Sequence, residues 1–205
     1  GIIHRDIKPS NLMLTTAAET AVSQAGHVKI LDLGLALLQG EQGEGTDELT
    51  STGQIMGTLD YMAPEQGSDS HDVDIRADIY SLGATLYKLL CGQTPFGTER
   101  CDTPMKKMRA MVTGSVRPIQ ERCPDVPEQL AAALHRMLDP EPGGRFATPA
   151  EVAAALVPFC EGCDLPALLV ESAAAAQETV NQDKSSIETD RSVSPDRNDT
   201  RSAQT

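Results

Sequence analysis

No stretch of this sequence approaches the run of about 18 apolar residues that a membrane-spanning helix needs. Nor does it open on a basic segment followed by an apolar stretch and a small-residue cleavage site. Neither insertion nor export is indicated, so the chain is expected in the cytoplasm, although a longer parent could be anchored through a segment outside these residues. Basic residues are scarce too: 17 Lys and Arg against 30 Asp and Glu leave a formal charge of −13. Binding a phosphate backbone requires clustered cations, which argues against DNA or RNA as the main partner. The acidity acts chiefly on solubility. A disulfide framework is missing as well, because Cys91, Cys101, Cys123, Cys160 and Cys163 are odd in number and irregularly spaced. Cys160 and Cys163 form a C-x-x-C pair, but a zinc site wants a second pair of ligands at similar spacing and none is nearby. The pair reads as two plain thiols. No internal repeat is found.

What remains is enough for one ordinary domain and a tail: 205 residues, 40% of them hydrophobic. Two short β-branched or apolar stretches, Leu12 to Leu14 and Val28 to Leu31, flank a polar, small-residue segment and predict a hairpin with a long loop. From Asp32 to about Glu65 periodicity is lost in a Gly-, Thr- and acid-rich segment, expected to be mobile. Helical patterns follow. Ile79, Leu82, Leu86, Leu89 and Leu90 recur at helical spacing over Asp78 to Leu90, and Gly92 supplies a C-cap. Thr103 and Pro104 open a second helix ending at Gly114, a third spans 126–139, and Thr148 with Glu151 forms a capping box for a fourth. The fold class is therefore mainly α with a small β-hairpin. Residues 1–157 read as one unit, 158–171 as a short extension, and 172–205 as a disordered tail or linker too poor in large apolar residues to offset its ordering entropy.

The chemistry is concentrated near the start. His4-Arg5-Asp6 followed by Asn11 fits H-R-D-x-x-x-x-N; 21 residues after Asn11 comes Asp32-Leu33-Gly34, behind the short strand VKIL; then Ala63-Pro64-Glu65 closes GTLDYMAPE. A single Asp in a polar loop is usually a turn residue. Three such motifs in this order, with a strand before the second and a long loop before the third, form a specific signal.

On these motifs the sequence resembles the eukaryotic-type serine/threonine protein kinases, the branch also abundant in bacteria, from Gly1 to about Val157. The resemblance implies the large, C-terminal lobe of a fold that is α+β when complete. It implies transfer of the terminal phosphate of ATP to Ser or Thr hydroxyls of proteins, with Mg2+ or alternatively Mn2+. Dimerisation for autophosphorylation is a partner mode of the same family. In this resemblance Asp6 is the catalytic base, Lys8 contacts the transferred phosphate and favours Ser/Thr over Tyr, and Asn11 and Asp32 face the metal, oxygen donors suited to a hard cation. Thr58 contacts the catalytic Asp and Lys. Arg5 pairs with a phosphorylated residue of the activation segment, for which Thr50 and Thr52 are candidates and Ser51 the plainer alternative. Glu65 and Arg145 form the ion pair that anchors the end of that segment. Asp78 bonds the catalytic-loop backbone, and His4 and Gly34 are structural support.

Leu33 stands where the family most often has Phe, which keeps the position apolar, and the loop from Thr15 to Gly26 is longer than usual. No glycine-rich phosphate loop, strand lysine or partnering glutamate occurs in these residues. The chain is accordingly expected to be a fragment, silent and marginally folded by itself, with its long apolar helix half-uncovered. Two other readings are weighed: a non-catalytic, kinase-derived scaffold or binding module, which would not need Asp6, Lys8, Asn11 and Asp32 together, and a small-molecule phosphotransferase, against which the A-P-E segment speaks.

Overall fold

The computed structural model describes residues 2–16, 26–31, 57–67, 73–97, 103–113 and 116–172. Expectations placed on Asp32, Leu33, Gly34, Thr50, Ser51, Thr52, residues 17–25 of the hairpin loop and all but the first residue of the tail lie outside them, while Thr15, Thr16 and Gly26, expected in that loop, belong to the strands. Two compact units are distinguished, one formed by residues 1–13 with 28–163, the other by 14–27 with 164–205.

The hairpin is present as β1 (Leu12–Thr16) paired with β2 (Gly26–Ile30). Helix α1 (Ile75–Cys91) starts one turn before the expected Asp78. Asp74 is the actual N-cap: its carboxylate accepts from the Arg76 N–H at 2.8 Å and from Arg76 Nε at 2.9 Å. That guanidinium bond holds the Asp74 carboxyl below the usual carboxylate range. The cap therefore contributes fully above about pH 4 and fades as pH falls through the depressed value. We predict that Asp74→Ala costs about 1 kcal/mol at neutral pH, and that the gap from the parent narrows in acid when urea midpoints are compared across pH. At its other end α1 stops on Gly92, left-handed at φ 74°, whose N–H donates to the Lys88 carbonyl at 2.8 Å.

Helices α2 (Pro104–Thr113), α3 (Glu128–Met137) and α4 (Pro149–Leu156) fall where periodicity puts them. Thr103 Oγ1 accepts from the Lys106 N–H at 3.3 Å, and Thr148 Oγ1 from the Glu151 N–H at 3.2 Å. Glu151 reaches back to the Ala147 N–H at 3.1 Å, one residue before the Thr148 N-cap, so the reciprocal half of the expected capping box is shifted by one residue.

The core corrects the expectation of a half-uncovered helix. Helix α1 is buried on two sides. Ala77, Tyr80, Ala84 and Tyr87 join Val73, Phe96, Met111, Ile119, Val126, Leu134 and Leu138 in the larger cluster, while Ile79, backed by Leu82 and Leu86, meets Met137, Phe146 and Val152 in a second. The leucine stripe was the wrong guide to the deepest face, since Leu89 and Leu90 at the C-terminal end are exposed. Small residues explain why: a Cβ on Gly83 would lie 2.9 Å from the Met137 Cβ, so α1 and α3 approach closely and the tyrosines fill the flanking space. Other large apolar side chains that are exposed include Ile2 near the chain start, Met13, Val28 and Ile30 on the strands, and Met105 and Val112 on α2.

In the second unit, a helix over 165–172 (α5) was not expected from the sequence. Asp164 caps it by accepting the Ala167 N–H at 3.0 Å. Leu165 packs so closely on Gly26 that a Cβ there would fall 2.5 Å from its own Cβ. Among the described residues no helix is long and apolar enough to cross a membrane.

Candidate active site

Pro9 starts a single 3-10 turn, Pro9–Asn11, closed by the Asn11 N–H on the Lys8 carbonyl at 2.9 Å. This turn points Asn11 back at Asp6. Both amide hydrogens of buried Asn11 are used, one on the Asp6 carbonyl at 2.8 Å and one on Asp6 Oδ2 at 2.9 Å. The amide orientation is thereby defined, and among the described residues Oδ1 is left as an oxygen donor that only the Ser10 hydroxyl approaches, at 3.5 Å. Lys8 Nζ lies 2.9 Å from Asp6 Oδ2 and donates to Thr58 Oγ1 at 3.4 Å. Lys8, Ser10, Gly57, Thr58 and Tyr61 line an open cleft of about 480 Å³. Asp6, Lys8, Asn11 and Thr58 are thus brought together, with Thr58 touching the lysine and not the aspartate.

Asp78, in the first turn of α1, receives the His4 N–H on one carboxylate oxygen and the Arg5 N–H on the other, both at 2.8 Å. Arg5 has φ 65°, a left-handed conformation that costs a non-glycine residue about 1–3 kcal/mol. The two charge-assisted bonds offset that cost. Removing them by Asp78→Ala is expected to lower stability by about 3 kcal/mol in chemical denaturation, with Asp78→Asn, which keeps one acceptor, falling between.

His4 holds the other side of the loop. Its Nδ1 accepts from the Asp6 N–H at 3.3 Å, so Nε2 carries the proton donated to the Leu31 carbonyl at 3.0 Å. The Leu31 N–H donates to the Asn11 carbonyl at 2.8 Å. Leu31 is pinned at both backbone groups, immediately before Asp32.

The A-P-E segment is tied down by Arg145, which is buried and has all its N–H donors engaged. Nη1 and Nη2 grip the Glu65 carboxylate at 2.6 and 2.9 Å, and the remaining hydrogens reach the carbonyls of Arg76, Asp139 and Pro140. Its guanidinium carbon lies 4.9 Å from the centre of the Tyr80 ring. Burial pushes the Tyr80 phenol far above its usual range, so the ring stays neutral.

Several residues escaped the sequence reading. Gln66 accepts the Ala63 N–H at 2.9 Å and donates to the Arg5 carbonyl at 3.2 Å, joining the segment to the catalytic loop. Its position next to A-P-E was the one available hint. Asp60, Thr94 and Lys107 also meet, with no motif to announce them. Cys160 and Cys163 are exposed, at the ends of a turn closed by the Cys163 N–H on the Cys160 carbonyl, and no cluster of three metal-ligating side chains exists among the described residues.

The Asp6 carboxylate is held against an ammonium and a side-chain amide, and that ammonium meets the Thr58 hydroxyl where both line an open cleft. The comparisons make the class specific. Residues 1–156 match the family model described as protein kinase domain, and the chain belongs to that family. It is 35% identical over 174 residues to the serine/threonine-protein kinase PknB of Mycolicibacterium smegmatis, covering 84% of this chain and 25% of that one. It is 38% identical over 158 residues to the tyrosine-protein kinase MasK of Myxococcus xanthus, 77% of this chain and 22% of that one. Against the serine/threonine-protein kinase PknL of Mycobacterium tuberculosis it is 34% identical over 167 residues, 81% and 37%. The chain spans a quarter or so of the length of the first two relatives.

Proposed function

We propose that this chain is the catalytic-loop half of an ATP-dependent protein kinase acting on Ser and Thr hydroxyls. The observation that carries the reading is the chain of contacts that joins Asn11 to Asp6, Asp6 to Lys8 and Lys8 to Thr58. In this reading the acceptor hydroxyl gives its proton to Asp6 as its oxygen bonds to the terminal phosphorus, and the bond to the bridging oxygen breaks to release ADP. Lys8 offsets negative charge growing on the phosphoryl oxygens. Magnesium, when bound, would neutralise the phosphates; the oriented Asn11 oxygen fits such a hard cation, and Asp32 is the second ligand by resemblance. Arg5 would receive a phosphorylated Thr50 or Thr52. Glycine-loop and strand-lysine functions are not supplied by these residues, so the 205 residues alone are not expected to turn over.

Acceptor choice is the open point, because one relative is named a tyrosine kinase. Lys8, together with the Gly57-Thr58 to Glu65 segment, supports Ser/Thr. The test is to incubate the full-length gene product with radiolabelled ATP, Mg2+ and a generic acceptor protein, with Asp6→Asn as control, and to identify the phosphorylated amino acid. Phosphoserine or phosphothreonine that vanishes in the control is expected. Phosphotyrosine overturns the acceptor assignment, and no transfer at all favours the scaffold reading.

A further inference from the structure

The segment that presents Thr58 to the catalytic loop is held from outside by a buried electrostatic contact that nothing in the kinase motifs requires. Lys107, on α2, has its ammonium 2.6 Å from Asp60 Oδ1, and its side chain is only 6% exposed. The Thr94 hydroxyl donates to the same oxygen at 2.8 Å. Two donors, 34 and 47 residues away in sequence, thus converge on one carboxylate. Withdrawing a lysine head from water is costly unless its partner is well placed, as the 2.6 Å contact with Asp60 is.

We infer that Lys107 and Thr94 act through Asp60 as positioning residues for the phosphate-transfer site, coupling α2 to the segment that carries Thr58. The path is short. Asp60 sits inside the turn closed by the Tyr61 N–H on the Thr58 carbonyl at 3.1 Å, and Thr58 Oγ1 meets Lys8, which pairs with Asp6. The same two elements also pack apolar side chains beside the clamp: Leu59, Met62, Met108 and Met111 border a small cavity of about 40 Å³. An apolar contact can slide; the ion pair gives it a single register. Without Lys107, the 57–63 segment loses the charged half of its outer anchor and keeps the neutral Thr94 bond, while Gln66 still ties the inner end to Arg5. A displacement of Thr58 by a fraction of an ångström then misaligns Lys8 and the acceptor hydroxyl, with no effect on ATP affinity.

The inference rests on the kinase reading above, and the experiment separates the two. In the full-length gene product, with myelin basic protein as acceptor, Lys107→Met and Asp60→Asn are each expected to lower kcat/KM for the acceptor about tenfold while KM for ATP stays within about twofold. Lys107→Arg, which keeps the charge, should recover most of the loss, and the double variant should be no worse than either single one. In the same proteins, amide exchange over residues 58–63 is expected to quicken about tenfold, with residues 77–85 of α1 unchanged. Equal acceptor kinetics in a folded Lys107→Met variant, or a loss that arginine does not repair and that spreads to ATP, overturns the positioning role. If the unsubstituted protein transfers no phosphate, the kinase reading fails by itself; exchange at 58–63 then decides the clamp, unchanged rates sinking it.

Discussion

An Asp6→Asn variant of the full-length gene product is expected to lose about 10²–10⁴-fold in kcat while binding ATP with near-parental affinity. Asn is nearly isosteric with Asp but cannot accept a proton from an attacking hydroxyl. It also exchanges one of two acceptor oxygens for a donor, and Asp6 Oδ2 is the atom that both Lys8 and Asn11 approach at 2.9 Å. The Lys8 ammonium would lose its ionic partner in the cleft and the Asn11 amide one of its restraints. Because Asp6 is partly exposed and the loop backbone hangs on Asp78 and His4, the fold should survive. Circular dichroism and a thermal melt of the variant, alongside steady-state kinetics, check this. A folded variant that retains kcat within about tenfold of the parent would remove Asp6 from the role of base.

Arg145→Met should be the most destabilising single substitution, by about 3–5 kcal/mol, against a net stability of about 5–15 kcal/mol for a typical domain. The reason is the completeness of the wild-type arrangement. One buried guanidinium satisfies the Glu65 carboxylate and three backbone carbonyls, and it lies over the ring of Tyr80, a member of the larger cluster. Methionine fills much of the space yet removes the guanidinium donors from all four groups, the Glu65 carboxylate above all. Lysine keeps the charge but not the planar fork, so Arg145→Lys should recover only part of the loss. Urea unfolding of Arg145→Met, Glu65→Gln and the double variant provides the check, the double falling well short of the sum. A loss below about 1 kcal/mol for Arg145→Met would show that the pair is as dispensable as a surface salt bridge.

Local chemistry was legible wherever a residue's partner lies within one turn. Thr148 and Gly92 end their helices as read, because a cap requires only neighbouring N–H or carbonyl groups. Asp74 and Asp78 show the limit. Both are acidic and one helical turn apart, and periodicity placed the helix start at the second; the first makes the cap, while the second turns its carboxylate to the backbone of His4 and Arg5. That role was foreseen through resemblance and not from spacing. The buried stripe of Ala77, Tyr80, Ala84 and Tyr87 was hidden because a hydrophobic pattern weights leucine over alanine, whereas close helix approach selects small residues.

The sequence by itself determined the family, because three motifs recur in a fixed order and the first sets a carboxylate, an ammonium and an amide at short spacing within one loop. Only the tertiary structure decided what holds those groups in place. Asp60 with Lys107 and Gln66 with Arg5 join residues 47 and 61 positions apart, whereas the Glu65–Arg145 pair, 80 apart, was foreseen through the resemblance and not from spacing. Whether a given charge is solvated or buried against its opposite depends on which helices pack together, and no short-range pattern encodes that.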